Sequence, residues 1–376
     1  MTALPRTDEP VLLRSSYDPS EVTFLLTDVS SARLELSVSE REARIQAGRN
    51  YAEMLPVEYS PDEAYLQLFE AVLTDTAAEV AEHVGVVTEM ALQARQGRPV
   101  LVSLARAGTP VGILMRRWAQ HAHGADLPHY SVSIVRGRGI DTVALDHIVA
   151  RHDPRDVLFV DGWTGKGAIT TELAGALDAY EAAGGPVLPR DLAVVADPGS
   201  AATMFGTRED VLIPSACLNS TVCGLVSRTV LNDELIKPGM FHGAKVYREL
   251  ADQDRSAHFL DTITRRFAEV TPAVAARWPL EYAADRTPTF AGRAVVLRLQ
   301  AEFGLPNWHL VKPSVGETTR VLLRRLPWQV LVRPDRRAAL RHVVLLAEAR
   351  GVPLVDYPDM PYSCVGLVQP LPGADT

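Results

Sequence analysis

The sequence predicts an α/β protein with a doubly wound parallel sheet, followed by a small C-terminal α/β domain. Four short apolar runs lack the polar alternation of a half-exposed strand, which is typical of strands buried on both faces. The runs are 100–104, 132–135, 157–160 and 192–196. The helical stretches between them are 111–120, 142–150 and 168–182. This alternation predicts parallel strands whose carboxyl ends form the functional edge of the sheet.

The length of the chain, 376 residues, is enough for two or more hydrophobic cores. We therefore predict four regions along the chain. They are an N-terminal extension that serves as a hood (1–95), a sheet domain (96–285), a linker region (286–317) and a small C-terminal domain (318–370).

The N-terminal extension carries no recognisable chemical motif. Residues 22–26 are typical of a strand, and Ser39 with Glu42 at capping-box spacing predicts a helix over 39–55. Ser60-Pro61-Asp62-Glu63 predicts the start of a second helix.

The composition is that of an ordinary folded protein, with 47% hydrophobic and 22% charged residues. No apolar run approaches the roughly 18 residues of a membrane span, and the N-terminus lacks a signal pattern. We therefore predict a cytoplasmic protein without a membrane partner. Cys217, Cys223 and Cys364 fit neither a zinc spacing nor an even disulfide framework, which favours reduced thiols. The oligomeric state stays open, a dimer included.

The first strand leads through Ala105-Arg106-Ala107-Gly108-Thr109-Pro110 into a helix, and Pro110 suits a first helical turn. A glycine-containing turn of this kind presents backbone N–H groups to an anion. The alternative for Arg106 is an ordinary surface residue.

The strand at 157–160 continues into Asp161-Gly162-Trp163-Thr164-Gly165-Lys166-Gly167 and then into a helix. Converging N–H groups and the helix N-terminus predict a phosphate cradle, because Gly165 and Gly167 remove the Cβ atoms that would hold a phosphate away. Asp161 can accept hydrogen bonds from sugar hydroxyls, and the Lys166 ammonium suits a phosphate. The alternative is a crossover whose glycines only satisfy turn geometry.

Two further strand ends carry turns. The run at 132–135 is followed by Arg136 and Arg138 in a glycine-rich loop. This loop is either a mobile element that brings a cation to an anionic group or an ordinary solvent loop. Asp197-Pro198-Gly199-Ser200, after 192–196, is a turn by composition. Two cradles at neighbouring strand ends fit a diphosphate ligand.

The stretches 214–224 and 241–244 are rich in small and polar residues. They are suited to completing a pocket for a base. They also permit a thiol hydrolase with Cys217 or Cys223 as nucleophile and His242 as base. Buried structural cysteines are a third explanation, because small buried thiols are common.

The C-terminal part is basic, although the net charge of the chain is −8. Residues 319–351 contain eight arginines against two carboxylates, a local charge of +6 that leaves −14 for the remainder. Arg320, Arg324 and Arg325, with Trp328 as a stacking surface, predict contacts with RNA. The alternative is an arginine-rich solvated face.

Together these motifs resemble one family over residues 15–370. It comprises the tellurite-type (Ter) stress-response operon phosphoribosyltransferases with a C-terminal PELOTA domain, an RNA-binding domain of the L7Ae-like class. Members are also labelled StiP-type cysteine proteases. The segment 161–167 is similar to the phosphoribosyl-pyrophosphate (PRPP) loop of type I phosphoribosyltransferases, and 105–110 is similar to their pyrophosphate loop.

The resemblance implies a sheet of the type I phosphoribosyltransferase kind. It also implies a transferase that moves the 5-phosphoribosyl group of PRPP to a base-like acceptor and releases pyrophosphate, in the synthesis of a nucleoside-like stress metabolite. Mg²⁺ would enter with PRPP, without a metal site of the protein's own. The implied catalytic residues are Asp161 on the ribose and Arg106, Arg136 and Arg138 on the pyrophosphate. The implied PRPP-binding residues are Ala105, Ala107, Gly108, Thr109, Gly162, Trp163, Thr164, Gly165, Lys166 and Gly167.

Gly162 stands where type I phosphoribosyltransferases usually carry a second acidic residue. A non-catalytic nucleotide sensor that also binds RNA is therefore one alternative function. The cysteine hydrolase that uses Cys217 or Cys223 is the other.

Overall fold

The computed structural model describes residues 12–37, 40, 44, 50–58, 61–324 and 327–368. The strands of the N-terminal two thirds are β1 (Thr23–Phe24), β2 (Thr27–Asp28), β3 (Glu35–Leu36), β4 (Leu55–Pro56), β5 (Val100–Leu104), β6 (His129–Val132), β7 (Ile134–Val135), β8 (Gly139–Ile140), β9 (Val157–Trp163), β10 (Leu192–Ala196), β11 (Met204–Thr207) and β12 (Gly243–Ala244). The helices of this part are α1 (Glu63–Ala94), α2 (Gly108–His123), α3 (Thr142–Val149), α4 (Ala168–Ala182), α5 (Ser256–Thr264) and α6 (Phe267–Ala283).

Six strands form one parallel sheet in the order β1-β6-β5-β9-β10-β11. Every residue of β5 and β10 is buried, as expected for continuous apolar runs in a sheet that is covered on both faces. Alternate residues of β5 divide between two apolar clusters. Leu101 packs with α1, α2, α5 and α6, whereas Val100 and Val102 pack with α3 and α4. The prediction of an α/β fold on a parallel sheet is confirmed.

The longest helix, α1, begins where the sequence predicts it. Asp62 is its N-cap, and its carboxylate accepts a hydrogen bond from the Tyr65 N–H at 2.8 Å. Gly85 allows α1 to approach α2 and α6 closely. A Cβ atom at Gly85 would lie 2.7 Å from Val274 and 2.8 Å from the Trp118 ring. Any side chain there would therefore push these helices apart.

Most of the helix predicted over 39–55 lies outside the described residues, and its last part is not α-helical. Asn50 caps a 3₁₀ turn at Tyr51–Glu53, and the strand β4 follows and pairs with β3. The Asn50 side chain accepts from the Ala52 N–H at 2.9 Å, and the Glu53 carboxylate accepts from the Asn50 N–H at 3.2 Å. This capping box begins a new turn, which explains why no helix continues through it.

A long-range pairing ties the N-terminal extension to the middle of the chain. β2 pairs with β12 in parallel. The Thr27 hydroxyl donates to the Phe241 carbonyl at 2.8 Å, from a position 214 residues earlier in the chain. The extension therefore packs beside the segment that contains His242.

The C-terminal part has its own sheet. Its elements are α7 (Ala291–Glu302), β13 (Val311–Pro313), α8 (Val315–Arg324), β14 (Pro327–Val332), α9 (Arg341–Ala349), β15 (Leu354–Asp356) and β16 (Cys364–Val368). The strand order is β13-β16-β14-β15, with β16 antiparallel to both neighbours and β14 parallel to β15. One face packs against α7 and the other against α8 and α9. The region 286–317, predicted as a linker, contains α7, β13 and the start of α8.

Within the part of the chain that the structure describes, no helix combines the length and the apolar character that crossing a membrane requires.

Candidate functional site

The turn after β9 has the predicted strand-turn-helix form. β9 runs through Trp163, and α4 begins at Ala168. Gly167 adopts the left-handed conformation, with a φ of +74°, and a Cβ atom there would lie 2.6 Å from the Phe290 ring. Glycine is therefore required at this position for its backbone conformation and for the close approach of Phe290.

Asp197 fixes this turn against the end of β10. Its buried carboxylate accepts hydrogen bonds from the Ala201 and Ala202 N–H groups at 2.9 and 3.0 Å and from the Thr164 hydroxyl. It also pairs with the Arg208 guanidinium. Burial raises the pKa of Asp197, and the hydrogen bonds from Thr164, Ala201 and Ala202 oppose that rise. The segment 197–200, predicted only as a turn by composition, therefore holds several parts of the chain together through the Asp197 carboxylate.

A pocket of ≈190 Å³, here named the edge pocket, lies at the carboxyl edge of the sheet. The residues of the sheet domain that line it and were predicted as site residues are Ala107, Arg136, Asp161, Trp163, Gly165 and Lys166. The C-terminal part contributes Lys312, Pro313, Glu317 and Arg320. The pocket is therefore built jointly by the two parts of the chain. The predicted residues outside its lining are Ala105, Arg106, Gly108, Thr109, Arg138, Gly162, Thr164 and Gly167.

Lys166 joins the two parts of the chain. Its ammonium donates to the Trp308 carbonyl at 3.1 Å and to the Val311 carbonyl at 3.3 Å, and it lies 4.4 Å from the centre of the Trp308 ring. Burial lowers the pKa of Lys166 to about 7, and the nearby Lys312 acts in the same direction. The Tyr362 hydroxyl, which donates to the Gly165 carbonyl at 3.1 Å, adds a second link across the junction.

Two carboxylates face the cations of the edge pocket. Asp161 accepts a hydrogen bond from the Gly162 N–H at 2.8 Å, and burial raises its pKa to about 6. Burial would also raise the pKa of Glu317, but the charges of Arg320, Lys312 and Lys166 outweigh it and lower that pKa. Glu317 is therefore ionised at neutral pH.

Arg320, predicted to contact RNA, lines the edge pocket. Its guanidinium lies 4.6 Å from the centre of the Trp163 ring and donates to Glu317 at 3.2 Å. Its Nε is buried and has no hydrogen-bond partner. Trp328 is 39% exposed and meets the Phe303 ring edge-on.

The side chains of the other two arginines in the RNA prediction are not described. Arg325 lies outside the described residues, and α8 ends at Arg324, whose side chain is not described.

Arg106 belongs to a partly buried polar cluster, here named the Arg106 cluster, formed by Glu58, Arg106, Asn219 and Ser220. The guanidinium donates to Asn219 Oδ1 at 2.7 Å and to the Val226 carbonyl at 2.9 Å, and it lies 3.8 Å from Glu58. Glu58 accepts from the Ser220 N–H at 2.9 Å and from the Ser220 hydroxyl at 2.8 Å. Arg106, predicted to bind pyrophosphate, therefore holds the segment between Cys217 and Cys223 through Asn219. Arg138 lies 3.8 Å from Glu53.

The two candidate thiols flank Asn219 and Ser220 of the Arg106 cluster in the sequence. Cys217 ends a 3₁₀ turn at Pro214–Ala216, and Cys223 ends another at Ser220–Val222. They are 3% and 4% exposed. The Cys217 carbonyl accepts a hydrogen bond from the Tyr65 hydroxyl. Cys364 is fully buried in the C-terminal sheet, and burial raises the pKa of its thiol.

His242, the proposed partner base, is held by other groups. Its Nδ1 lies 2.9 Å from the Ser133 hydroxyl, and its backbone N–H donates to Asp141 at 2.6 Å. Asp141 also caps α3 through the Val143 and Ala144 N–H groups. Burial lowers the pKa of His242, although the charge of Asp141 opposes that change. Ser133 was not predicted as a partner of His242. Its position directly after β6, at the carboxyl edge of the sheet, is the signal that could have identified it.

No group of three or more His, Cys, Asp or Glu side chains is placed to hold a metal ion within the described ranges. The Mg²⁺ prediction depended on PRPP as its carrier and stays a prediction.

Comparison with known proteins identifies both parts of the chain. Residues 15–264 match the family described as tellurite-like stress resistance cysteine protease StiP, and residues 290–370 match the PELOTA RNA binding domain. A protein named cysteine protease StiP, from Acinetobacter baylyi (strain ATCC 33305 / BD413 / ADP1), is 33% identical over 368 residues. The alignment covers 95% of this chain and 94% of that relative.

These matches overturn the predicted activity. The family and the relative are named as cysteine proteases, which are hydrolases, so the prediction of a phosphoribosyltransferase and pentosyltransferase that uses PRPP was wrong. The turn at 161–167 misled the prediction because its glycines also serve the fold. Gly167 needs a positive φ, and a Cβ atom at Gly165 would lie 3.3 Å from Pro313.

The predicted membership in a tellurite-type stress-response family with a C-terminal PELOTA domain is confirmed by the same matches. Residues 15–264 and the identity across nearly the whole chain show that this protein belongs to the StiP family of tellurite-like stress resistance cysteine proteases.

Proposed function

We propose that the protein is a thiol-dependent peptide hydrolase whose nucleophile is Cys217. The observation that carries the proposal is the Arg106 cluster, in which the partly buried guanidinium donates to Asn219, two residues after Cys217. The thiolate is the reactive form of cysteine, and Arg106 is the cation bound to the segment that carries Cys217. The family name supports the same chemistry.

Cys217 is preferred over Cys223 because of its neighbours. It directly follows Ala216, whose Cβ lies 3.4 Å from the Cβ position of Gly316, next to the Trp163 wall of the edge pocket. The segment of Cys223 packs elsewhere: the Tyr17 hydroxyl donates to the Val222 carbonyl at 3.1 Å. The segment of Cys217 therefore lies beside the edge pocket, at the edge of the sheet where α/β proteins place their sites.

The proposed reaction consists of two acyl-transfer steps. The sulfur of Cys217 attacks the peptide carbonyl carbon, the C–N bond breaks, and the amine leaves with the proton that the thiol loses. Water then attacks the thioester, which releases the acid and restores the thiol.

The test is a peptidase assay on the full chain with an unstructured protein substrate. Cys217→Ser is expected to reduce the rate by about 1,000-fold or more, because a hydroxyl without a matched base is a poor nucleophile. Cys223→Ser and Cys364→Ser are the matched controls and should keep most of the activity. Iodoacetamide should label Cys217 faster than the other two thiols, as followed by mass spectrometry. Full activity in Cys217→Ser would overturn the assignment.

We also propose that the C-terminal part binds RNA, which the PELOTA match and the +6 charge of residues 319–351 support. Several arginines of this region already pair within the protein. Arg333, Arg336 and Arg337 contact Asp335, Glu209 and Asp356 respectively. The charges of these three arginines are therefore partly neutralised within the protein. We further propose that the larger sheet has the fold of type I phosphoribosyltransferases, without their activity.

Replacing Arg324 and Arg325 together by Ala should reduce the salt dependence of RNA binding. Each phosphate contact with a single strand contributes about −0.7 to the slope of log affinity against log salt, so the slope should flatten by up to about 1.4. Fluorescence anisotropy at several salt concentrations measures it. Arg155→Ala, which removes an exposed arginine of the sheet domain paired with Asp153, is the control. An unchanged slope in the double variant would show that these arginines only solvate the surface.

A further inference from the structure

We propose that the start of α8 is a cover that restricts access to Cys217, so that docking of the C-terminal part holds the protein in a state of low activity. The proposal rests on the proposed function, because it concerns the thiol that is assigned there as the nucleophile. Cys217 is only 3% exposed. A peptide carbonyl carbon can therefore reach its sulfur only after part of the surrounding chain moves.

The turn that leads into Cys217 packs against two helices. Every residue of the 3₁₀ turn Pro214–Ala216 is buried, and the turn contacts both α1 and α8. Val315 and Leu322 of α8 belong to the same apolar cluster as Ala216 and Cys217. The two helices differ in what else they contact. α1 packs on α2, α6 and β11 of the sheet domain, whereas α8 packs on β16 of the C-terminal sheet. Movement of α8 therefore uncovers the turn and leaves the core of the sheet domain in place.

Gly316 allows α8 to approach the turn closely. A Cβ atom at Gly316 would lie 2.9 Å from the Trp163 ring and 3.4 Å from the Ala216 Cβ atom. The first of these distances is too short for any real side chain, so only glycine permits this contact. The backbone at the start of α8 is thereby held directly against the residue that precedes Cys217.

Asp210 anchors the start of α8 in this position. Its buried carboxylate accepts from the Val315 N–H at 3.0 Å, beside Gly316, and from the Ser363 N–H at 2.8 Å. One short segment, 210–217, therefore contains both the residue that anchors α8 and the thiol that α8 covers. Loss of the anchor is expected to free the cover, because buried N–H groups without an acceptor favour an arrangement in which water reaches them.

The test is the rate at which iodoacetamide labels Cys217 in the full chain, followed by mass spectrometry. Gly316→Ala favours the helix itself but places a Cβ atom against Trp163 and Ala216, so it should push α8 away from the turn. We expect this variant to be labelled at Cys217 at least about fivefold faster than the parent, as for a local opening that becomes more frequent. Cys223 should be labelled at the parent rate.

The matched control is Gly175→Ala. Gly175 also lies in a helix, α4, and a Cβ atom there meets nothing within 4 Å. Asp210→Ala is a second variant, which removes the anchor and should also accelerate the labelling of Cys217. Thermal unfolding shows whether each variant is folded. In the parent chain, Cys217 should become reactive at a lower urea concentration than Cys223, which tests the cover without any substitution.

Peptidase activity separates this proposal from the proposed function. The rate of peptide hydrolysis in Gly316→Ala and Asp210→Ala should rise together with the labelling rate of Cys217. Faster labelling without peptidase activity in any variant would support the cover and refute the hydrolase. Parent-like labelling of Cys217 in both folded variants, an equal acceleration at Cys223, or exposure of both thiols at one urea concentration would overturn the cover. The effect of Cys217→Ser on activity would then still decide the proposed function.

Discussion

Asp197→Ala is expected to lower the free energy of unfolding by about 3–5 kcal/mol, because it breaks a buried ion pair and leaves several buried donors without an acceptor. The carboxylate is fully buried and serves Thr164, Ala201, Ala202 and Arg208 at once. Its loss would also release the turn that forms one wall of the edge pocket. Chemical denaturation followed by circular dichroism measures the change.

The matched control for this prediction is Asp178→Ala. Asp178 also pairs with an arginine, Arg190, but it is 63% exposed. Exposed pairs contribute about 0–1 kcal/mol, so this variant should unfold close to the parent. Equal losses in the two variants would show that Asp197 has no special structural role.

Asp210→Ala is expected to loosen the C-terminal part from the sheet domain, at a cost of about 2–4 kcal/mol. Both carboxylate oxygens lie 3.0 Å from the Val315 N–H, and one also accepts from the Ser363 N–H at 2.8 Å. The Asp210 carbonyl accepts from the Ser363 hydroxyl at 3.0 Å. Removing the carboxylate leaves two buried N–H groups unpaired at the junction.

Hydrogen exchange detects this loosening directly. The amides of Val315 and Ser363 should exchange faster in Asp210→Ala, and a protease should cut more readily between α6 and α7. Asp335→Ala is the control, since Asp335 is 64% exposed and pairs with Arg333 within the C-terminal part. Unchanged protection of Val315 and Ser363 would contradict the assigned role of Asp210.

Asp210 also predicts a pH dependence of stability. Burial raises its pKa to about 7, against an ordinary value near 4. The folded protein therefore binds a proton more readily than the unfolded chain between about pH 4 and pH 7. The stabilising contribution of this group is fully present below about pH 4 and is lost as the pH rises through about 7. In Asp210→Asn the unfolding free energy should fall less steeply between pH 5 and pH 8.

The sequence predicted β5, β9, β10 and the edge strand β1 of the main sheet, and it missed the other edge strand, β11. β5, β9 and β10 were found because each is a continuous apolar run between helices, whereas the strand predicted at 132–135 overlaps β6 only at Val132 and otherwise covers β7. β11 was missed because its four residues include Gly206 and Thr207 and resemble a turn. β2 and β12 have two residues each, so their pairing depends on contacts between distant segments and leaves no local pattern.

The part of the candidate site that belongs to the sheet domain was predicted from the sequence, and the part that belongs to the C-terminal region was not. The strand-turn-helix at 161–167 was found because its glycines and apolar strand are contiguous. Lys312 and Glu317 lie in a region that was predicted as a linker, and their place opposite Lys166 follows only from the docking of the C-terminal part. Arg106 shows the same limit, because a local motif gives its position and not its partners, Asn219 and Val226.

The pairing of β2 with β12 has a consequence for synthesis of the chain. Thr27 leaves the ribosome 214 residues before Phe241, the residue whose carbonyl its hydroxyl contacts. At about 5–20 residues per second, the N-terminal strand waits roughly 10–40 seconds for its partner. During that interval its backbone N–H and C=O groups are an open edge for other chains. Slower elongation should therefore increase aggregation during translation, even though the stability of the finished fold does not change.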